Sequence, residues 1–277
     1  MPVANIRGIN LHYRVWGVGE PLLLIMGYRG SGFMWGEEFV TPLSRYFHVI
    51  TFDNRGTGLS DKPDTVYTIP MMADDAAGLL SVLGIERAHV FGVSMGGMIA
   101  QELALRHPKR VKRLILGCTT CGGPQAIMAP LEVMATLFTP PDLSRREALQ
   151  RQWQVIFSAD FLARQNGFVE RLTARALAYP TPFHTTIRQA RAMQRFNTYG
   201  RLGQIMAPTL VVTGDADIVV PPANSRLLAN KVPGAMCELF TGAGHGFFWE
   251  ASKSVIELLG DFCSPFVQDD ASEPWTG

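Results

Sequence analysis

Along this chain, short continuous apolar runs alternate with stretches whose apolar positions recur every three or four residues. The runs at Asn10–Val15, Pro21–Met26, His48–Phe52, Ala88–Val93, Val111–Gly117, Thr209–Thr213 and Met236–Phe240 predict strands. Pro2–Ile6 alternates like an edge strand and makes eight. Asn10–Val15 and Pro21–Met26 lie close enough in sequence to pair antiparallel with it; the rest need crossovers. Between the runs, Met72, Ala76, Leu79, Leu80 and Leu83 share one helical face that Gly84 ends. Met98 to His107 reads as helix closed by Pro108, and Val255, Ile256, Leu258, Leu259 and Phe262 form a last apolar face. The alternation predicts an α/β protein with a mostly parallel eight-stranded sheet flanked by helices.

From Gly122 to Gln204 the alternation stops. Ser144-x-x-Glu147 has the form of a capping box, and Leu149, Trp153, Ile156 and Phe157 follow on one face. Prolines at 124, 130, 140, 141, 180 and 182 punctuate the segment. Residues 122–204 are therefore expected to be a helical cap inserted into a core of residues 1–121 and 205–277. The final stretch, SPFVQDDASEPWTG, reads as a loose polar tail.

The chain has 277 residues, 47% hydrophobic and 18% charged, enough apolar material for one large domain carrying an insertion. Its 25 basic and 24 acidic side chains nearly cancel, so charge gives no reason to expect a nucleic-acid partner. No apolar run reaches the roughly 18 residues of a membrane span. The segment MPVANIRGINLHYRVWG has no basic stretch leading into a signal-peptide core. The expectation is a soluble, cytoplasmic protein with no membrane partner. Cys118 and Cys121 have redox or zinc-knuckle spacing, yet no second pair or flanking histidine accompanies them. They read as small buried thiols, Cys237 and Cys263 stand apart from them in sequence, and no metal site is expected.

The chemistry-bearing motif is Gly92-Val93-Ser94-Met95-Gly96, set between an apolar strand and a helix. A sharp strand-to-helix turn forces its corner residue to positive φ, and flanking positions must lack side chains because strand and helix approach closely. Such a corner lifts the Ser94 hydroxyl clear of the backbone at a helix N-terminus, where a developing negative charge is favoured. A serine needs a base, and the base needs an orienting group. Asp215 and Asp217 follow the strand LVVTG, at the carboxyl end where catalytic groups gather in parallel sheets. His245 follows the next strand in the Gly-rich loop TGAGHGF. The order Ser, Asp, His is the one such an architecture requires.

These segments, together with MGYRGSGFMW after the third strand and FDNRGTGLSDKP after the fourth, resemble the α/β-hydrolase fold superfamily over nearly the whole chain. The resemblance implies that Ser94, Asp217 and His245 form a catalytic triad, with Asp215 shaping its loop. It implies an oxyanion hole from the backbone N–H groups of Met95 and Tyr28. One departure stands out: the family commonly has His-Gly in the oxyanion loop, and here it is Met26-Gly27. Methionine cannot make the histidine's hydrogen bonds, so other groups must hold the loop. Arg55 and Asp53 match a turn that is structural in the family. The pocket is expected to be lined by Arg29, Met128, Trp153, Phe157 and Phe247. His12, His48, His89, His107 and His184 read as surface or structural histidines. The cap segment carries ten arginines and no lysine against five acidic residues. Arg188, Arg191 and Arg195 share a helical face, either solvated or attracting an anionic substrate.

The activity so implied is a serine hydrolase that cleaves carboxylic esters, small or apolar ones, through an acyl-enzyme and without a cofactor. Serine at the turn argues against the haloalkane dehalogenases and epoxide hydrolases, which use aspartate there. GVSMGGMIAQELALRHP is also similar to 3-oxoadipate enol-lactonases and, less closely, to carbon–carbon bond hydrolases of aromatic degradation. Cofactor-free haloperoxidases share the triad and run perhydrolysis. Hormone receptors on this fold keep a triad as well, so a ligand-binding protein is the alternative from a different class.

Overall fold

Leu22, Leu23, Leu24 and Ile25 are completely buried, and this run occupies the middle of the sheet. The computed structural model describes residues 2–137 and 143–264. The tail expected beyond Ser264, Phe138, and the prolines at 140 and 141 lie outside the described residues. The strands are β1 (Val3–Ile6), β2 (Ile9–Trp16), β3 (Glu20–Ile25), β4 (Phe47–Phe52), β5 (Ala88–Val93), β6 (Val111–Gly117), β7 (Thr209–Gly214) and β8 (Met236–Phe240). They form one eight-stranded sheet in the order β1-β2-β4-β3-β5-β6-β7-β8. Only the β1–β2 and β2–β4 pairs are antiparallel.

One expected pairing is not made. β2 pairs with β1, but β3 crosses over and lies parallel between β4 and β5. The cause is two-sided burial. Leu23 and Ile25 pack into one helical layer and Leu22 and Leu24 into the other, which only a central parallel position allows. β2, with partly exposed positions, suits the edge region.

The helices are α1 (Glu37–Leu43), α2 (Ile69–Val82), α3 (Met95–Arg106), α4 (Leu131–Leu137), α5 (Arg145–Ile156), α6 (Ala159–Arg164), α7 (Asn166–Ala178), α8 (Phe183–Gln194), α9 (Ala223–Lys231), α10 (Phe247–Glu250) and α11 (Ser252–Cys263). α2, α3 and α9 cover one face of the sheet; α1, α10 and α11 cover the other. Local signals explain the ends. Thr68 caps α2 by accepting from Met71 N at 3.2 Å, and Gly84 turns the chain away at φ 69°. Arg55, in the loop after β4, donates twice to Asp75 of α2 at 2.5 and 2.6 Å, and both are buried. Removing one partner from such a buried pair costs on the order of 3–5 kcal/mol.

Between β6 and β7 the chain runs through α4 to α8 and adds no strand to the sheet among the described residues. A narrow neck closes this helical insert: Gly122 bridges Asn197, Gly123 N donates to Phe196 O at 3.0 Å, and Thr198 N donates to Cys121 O at 2.9 Å. The expected capping box starts α5, with Glu147 N donating to Ser144 Oγ at 3.3 Å and Ser144 N to Glu147 Oε2 at 2.9 Å. The insert is tied to the core by Arg175, which donates to both Glu38 oxygens at 2.7 and 2.6 Å, and by Tyr179 stacked on Phe33 at 3.8 Å. No helix among the described residues is long and apolar enough to cross a membrane.

Candidate active site

β5 is buried at every position and ends at Ser94, whose φ of 55° and ψ of −120° lie where residues with a side chain rarely go. The flanking glycines explain how the turn closes. A Cβ at Gly92 would stand 2.2 Å from Gly96 O, and one at Gly96 would stand 2.0 Å from Ile25 O, so no larger residue fits either position. The corner is fastened from β6: Ser94 N donates to Gly117 O at 2.9 Å, and Thr119 Oγ1 donates to Ser94 O at 2.7 Å. Met95 then opens α3, so its N–H is among the helix's first, unpaired donors.

The second element is the loop after β7. Asp217 Oδ1 accepts from Val219 N at 2.8 Å and Val220 N at 2.9 Å, which aims Oδ2 at His245 Nδ1, 2.8 Å away. Asp215 turns aside and accepts from Gly242 N at 2.7 Å, holding the histidine loop against the β7 loop. On its other side that loop is fastened by Glu250, which accepts from Gly244 N at 2.9 Å and from Ser158 Oγ at 2.5 Å. Burial disfavours a charge on the His245 ring, but the Asp217 carboxylate outweighs it and holds the imidazole well above its ordinary pKa of 6.5. Ser94 and His245 wall the same cavity. No hydrogen bond joins Ser94 Oγ to the ring among the described residues; such bonds tighten when substrate is bound.

Cys118, read from the sequence as an inert thiol, stands in this cluster. Its sulfur, the His245 ring and the Asp217 carboxylate present atoms within 4.8 Å of one another, all buried. Burial pushes the thiol pKa up, so near neutrality it is protonated against the ring. Asp217 and His245 already bond each other, so this is a thiol packed on a hydrogen-bonded pair. The sequence held one signal for it: Cys118 directly follows β6, the strand beside that of Ser94.

The loop after β3 brings Gly27 over Ser94, with room for a Cβ only 3.1 Å from the Ser94 Cβ. The groups that replace the missing histidine are visible here. Asn54 Nδ2 donates to Met26 O at 3.0 Å, and Asp53 Oδ1 accepts from Gly32 N at 2.6 Å. Two side chains of the insert hold the next residue: Arg29 N donates to Gln189 Oε1 at 3.0 Å, and Thr181 Oγ1 donates to Arg29 O at 2.7 Å. They keep Arg29 at φ 63°, and Tyr28 between these anchors faces the cavity.

The cavity measures about 870 Å³ and lies between the sheet's carboxyl end and the insert. Arg29, Met128 and Trp153 wall it as expected, with Met34, Met98, Leu149 and Met193 among its apolar sides. Phe157 and Phe247 do not line it. Phe157, at the end of α5, stacks on Phe161 at 5.1 Å and meets Trp249 at 5.7 Å, pinning the insert to the histidine loop. Phe247 is wholly buried against Phe240 at 5.3 Å; the next two residues, Phe248 and Trp249, face the cavity instead. The other histidines stand apart from the cavity walls. His12 meets Asp53 at 3.2 Å, His107 meets Asp74 at 2.8 Å, His89 is held near 4 by burial, and His184 is exposed.

Residues 20–252 match the sequence profile of the α/β hydrolase fold family. A protein of Caulobacter sp. strain K31 named as the carbamate hydrolase RutD is 31% identical over 88% of this chain and 91% of its own length. Among solved structures, an enol-lactonase from Burkholderia xenovorans LB400 superposes with a TM-score of 0.83 at 27% identity, covering 94% of this chain and 99% of that one. Est816, described as an N-acyl homoserine lactone degrading enzyme, superposes with a TM-score of 0.80 at 31% identity over 94% of this chain and 100% of its own.

Proposed function

This chain belongs to the α/β-hydrolase fold family and is a hydrolase of it; from that premise we propose that it cleaves carboxylic esters, cyclic ones included, through a serine acyl-enzyme. The observation that carries the reading is the 2.8 Å Asp217–His245 bond beside a serine held at positive φ, with Ser94 and His245 both opening on one cavity. Ser94 Oγ attacks the carbonyl while His245 Nε2 takes its proton; Asp217 keeps Nδ1 protonated and stabilises the imidazolium. The Met95 N–H and the Tyr28 N–H receive the oxyanion, and His245 returns the proton to the departing alcohol. Water, activated by the same histidine, then releases the acid. No step calls for a cofactor.

The helical insert, residues 122–204, serves as the cap that roofs the site. An apolar roof with methionines suits loosely specified acyl groups. Relatives named for enol-lactone and homoserine-lactone substrates support including cyclic esters. The test is a panel of p-nitrophenyl esters of graded chain length, lactones and a dienone, run with wild type and Ser94→Ala. Ester and lactone turnover is expected to fall at least about a thousand-fold in Ser94→Ala, as happens when a nucleophile is removed. Turnover that survives the substitution, or a wild type that shows only a ligand-dependent thermal shift and single-turnover cleavage, overturns the reading.

A further inference from the structure

The walls of the cavity carry cations without anions. Arg29, Arg145 and Arg191 line it, and among the described residues no aspartate or glutamate does. Five other arginines of the insert are matched: Arg146 meets Glu170, Arg164 meets Asp160, Arg175 meets Glu38, Arg188 meets Asp64 and Arg201 meets Glu102; the remaining three, Arg151, Arg171 and Arg195, are exposed to solvent away from the cavity walls. The guanidinium groups of Arg29 and Arg145 make no hydrogen bond or ion pair among the described residues. Arg29 comes from the loop after β3 in the core and Arg145 from the first turn of α5 in the insert, and both wall one cavity. Burial draws the pKa of both downward, and for Arg145 the charge of Arg29 adds to it. Even so lowered, a guanidinium stays charged at neutral pH. Half-buried Arg29 and exposed Arg145 thus present two like charges to one largely apolar cavity, and the planar fork of arginine fits a carboxylate.

Building on the ester-hydrolase reading, we propose that the substrate carries a carboxylate in addition to the carbonyl under attack, and that Arg29 and Arg145 receive it across the seam between core and insert. Arg191, exposed at the rim, adds to the field that draws the anion in. Because Arg29 is two residues from Gly27, which packs on Ser94, the anion subsite is coupled in sequence to the oxyanion loop.

A matched pair of substrates tests this: p-nitrophenyl hexanoate, and the p-nitrophenyl half-ester of adipic acid, in which a carboxylate replaces the terminal methyl. Wild type is expected to favour the half-ester in kcat/KM. In Arg29→Gln the ratio of half-ester to neutral ester is expected to fall about ten-fold or more, the range for losing a charged hydrogen bond. Arg29→Lys is expected to restore part of it. Arg145→Gln, on a solvent-facing helix position, is expected to lower the ratio independently. In parallel, calorimetry on Ser94→Ala compares adipate with the neutral methyl hexanoate; adipate is expected to bind more tightly, with the advantage lost when Arg29→Gln is added. A protein that cleaves both esters with a ratio unchanged in all three variants has no such subsite and remains an ester hydrolase. One that cleaves neither ester yet binds adipate through Arg29 keeps the subsite and loses the hydrolase reading. Equal binding of adipate and methyl hexanoate overturns the subsite by itself.

Discussion

Replacing Gly96 with alanine tests whether close approach of strand and helix is what presents Ser94. The added methyl would stand 2.0 Å from Ile25 O and 2.9 Å from Met26 O, both backbone atoms that cannot swing away. Ordinary contact lies about 1.4 Å further out. Either α3 must withdraw from β3 or the carbonyls that lead into the loop after β3 must tilt. The first path moves Ser94 and the Met95 N–H together; the second moves Tyr28. Overpacking of this kind costs about 1–3 kcal/mol, while alanine regains up to about 1 kcal/mol of helix propensity over glycine. The net expectation is a loss of about 1–2 kcal/mol, seen as a Tm lower by roughly 2–8 °C for a chain of this size. Activity suffers more, because a displacement of about 1 Å at a reacting group costs on the order of a hundred-fold. Urea unfolding and kcat/KM on a p-nitrophenyl ester measure the two effects on one preparation. Gly203→Ala is the control: nothing lies within 4 Å of its Cβ position, so stability and rate are expected to hold. A Gly96→Ala protein as stable as wild type and within about two-fold of its kcat/KM refutes the steric account.

Because Asp217 holds the His245 pKa above 6.5 and the base must be neutral to work, activity is expected to fall as pH drops, with its acid midpoint above 6.5. In Asp217→Asn burial acts without the carboxylate, so the ring, followed by NMR titration, should titrate below wild type, and kcat should drop by about ten-thousand-fold; a midpoint that rises contradicts the assignment. Asn54→Ala strips the Met26 carbonyl of its partner, which is expected to cost about 1–3 kcal/mol in denaturant unfolding and to lower kcat more than it raises KM. Unchanged kcat would mean that the loop does not depend on Asn54.

What the sequence made legible was whatever is local. The Ser94 turn, the capping box of α5 and the choice of Asp217 over Asp215 each rest on a few consecutive residues whose geometry leaves little freedom. The position of β3 was not local. Nearness to β1 along the chain suggested a hairpin, while burial on both faces drew β3 to the sheet centre. Among the aromatic pocket residues, Phe247 failed on phase: in an α10 of four residues, moving from Phe247 to Phe248 exchanges a core position for a cavity wall. Cys118 was hidden for a topological reason, since its place beside His245 follows only from β6 lying next to β5 and β7.

The departure at Met26 ties these threads together. With no histidine to brace the loop after β3, the brace comes partly from Asn54 and partly from Gln189 and Thr181 of the insert. The same segment carries Tyr28, proposed to stabilise the oxyanion, and Arg29, proposed to hold the substrate's anion. The insert therefore does more than roof the cavity: its hydrogen bonds to Arg29 N and O hold the backbone conformation on which both proposed contacts depend. The helical insert cannot move away from Arg29 without releasing that loop.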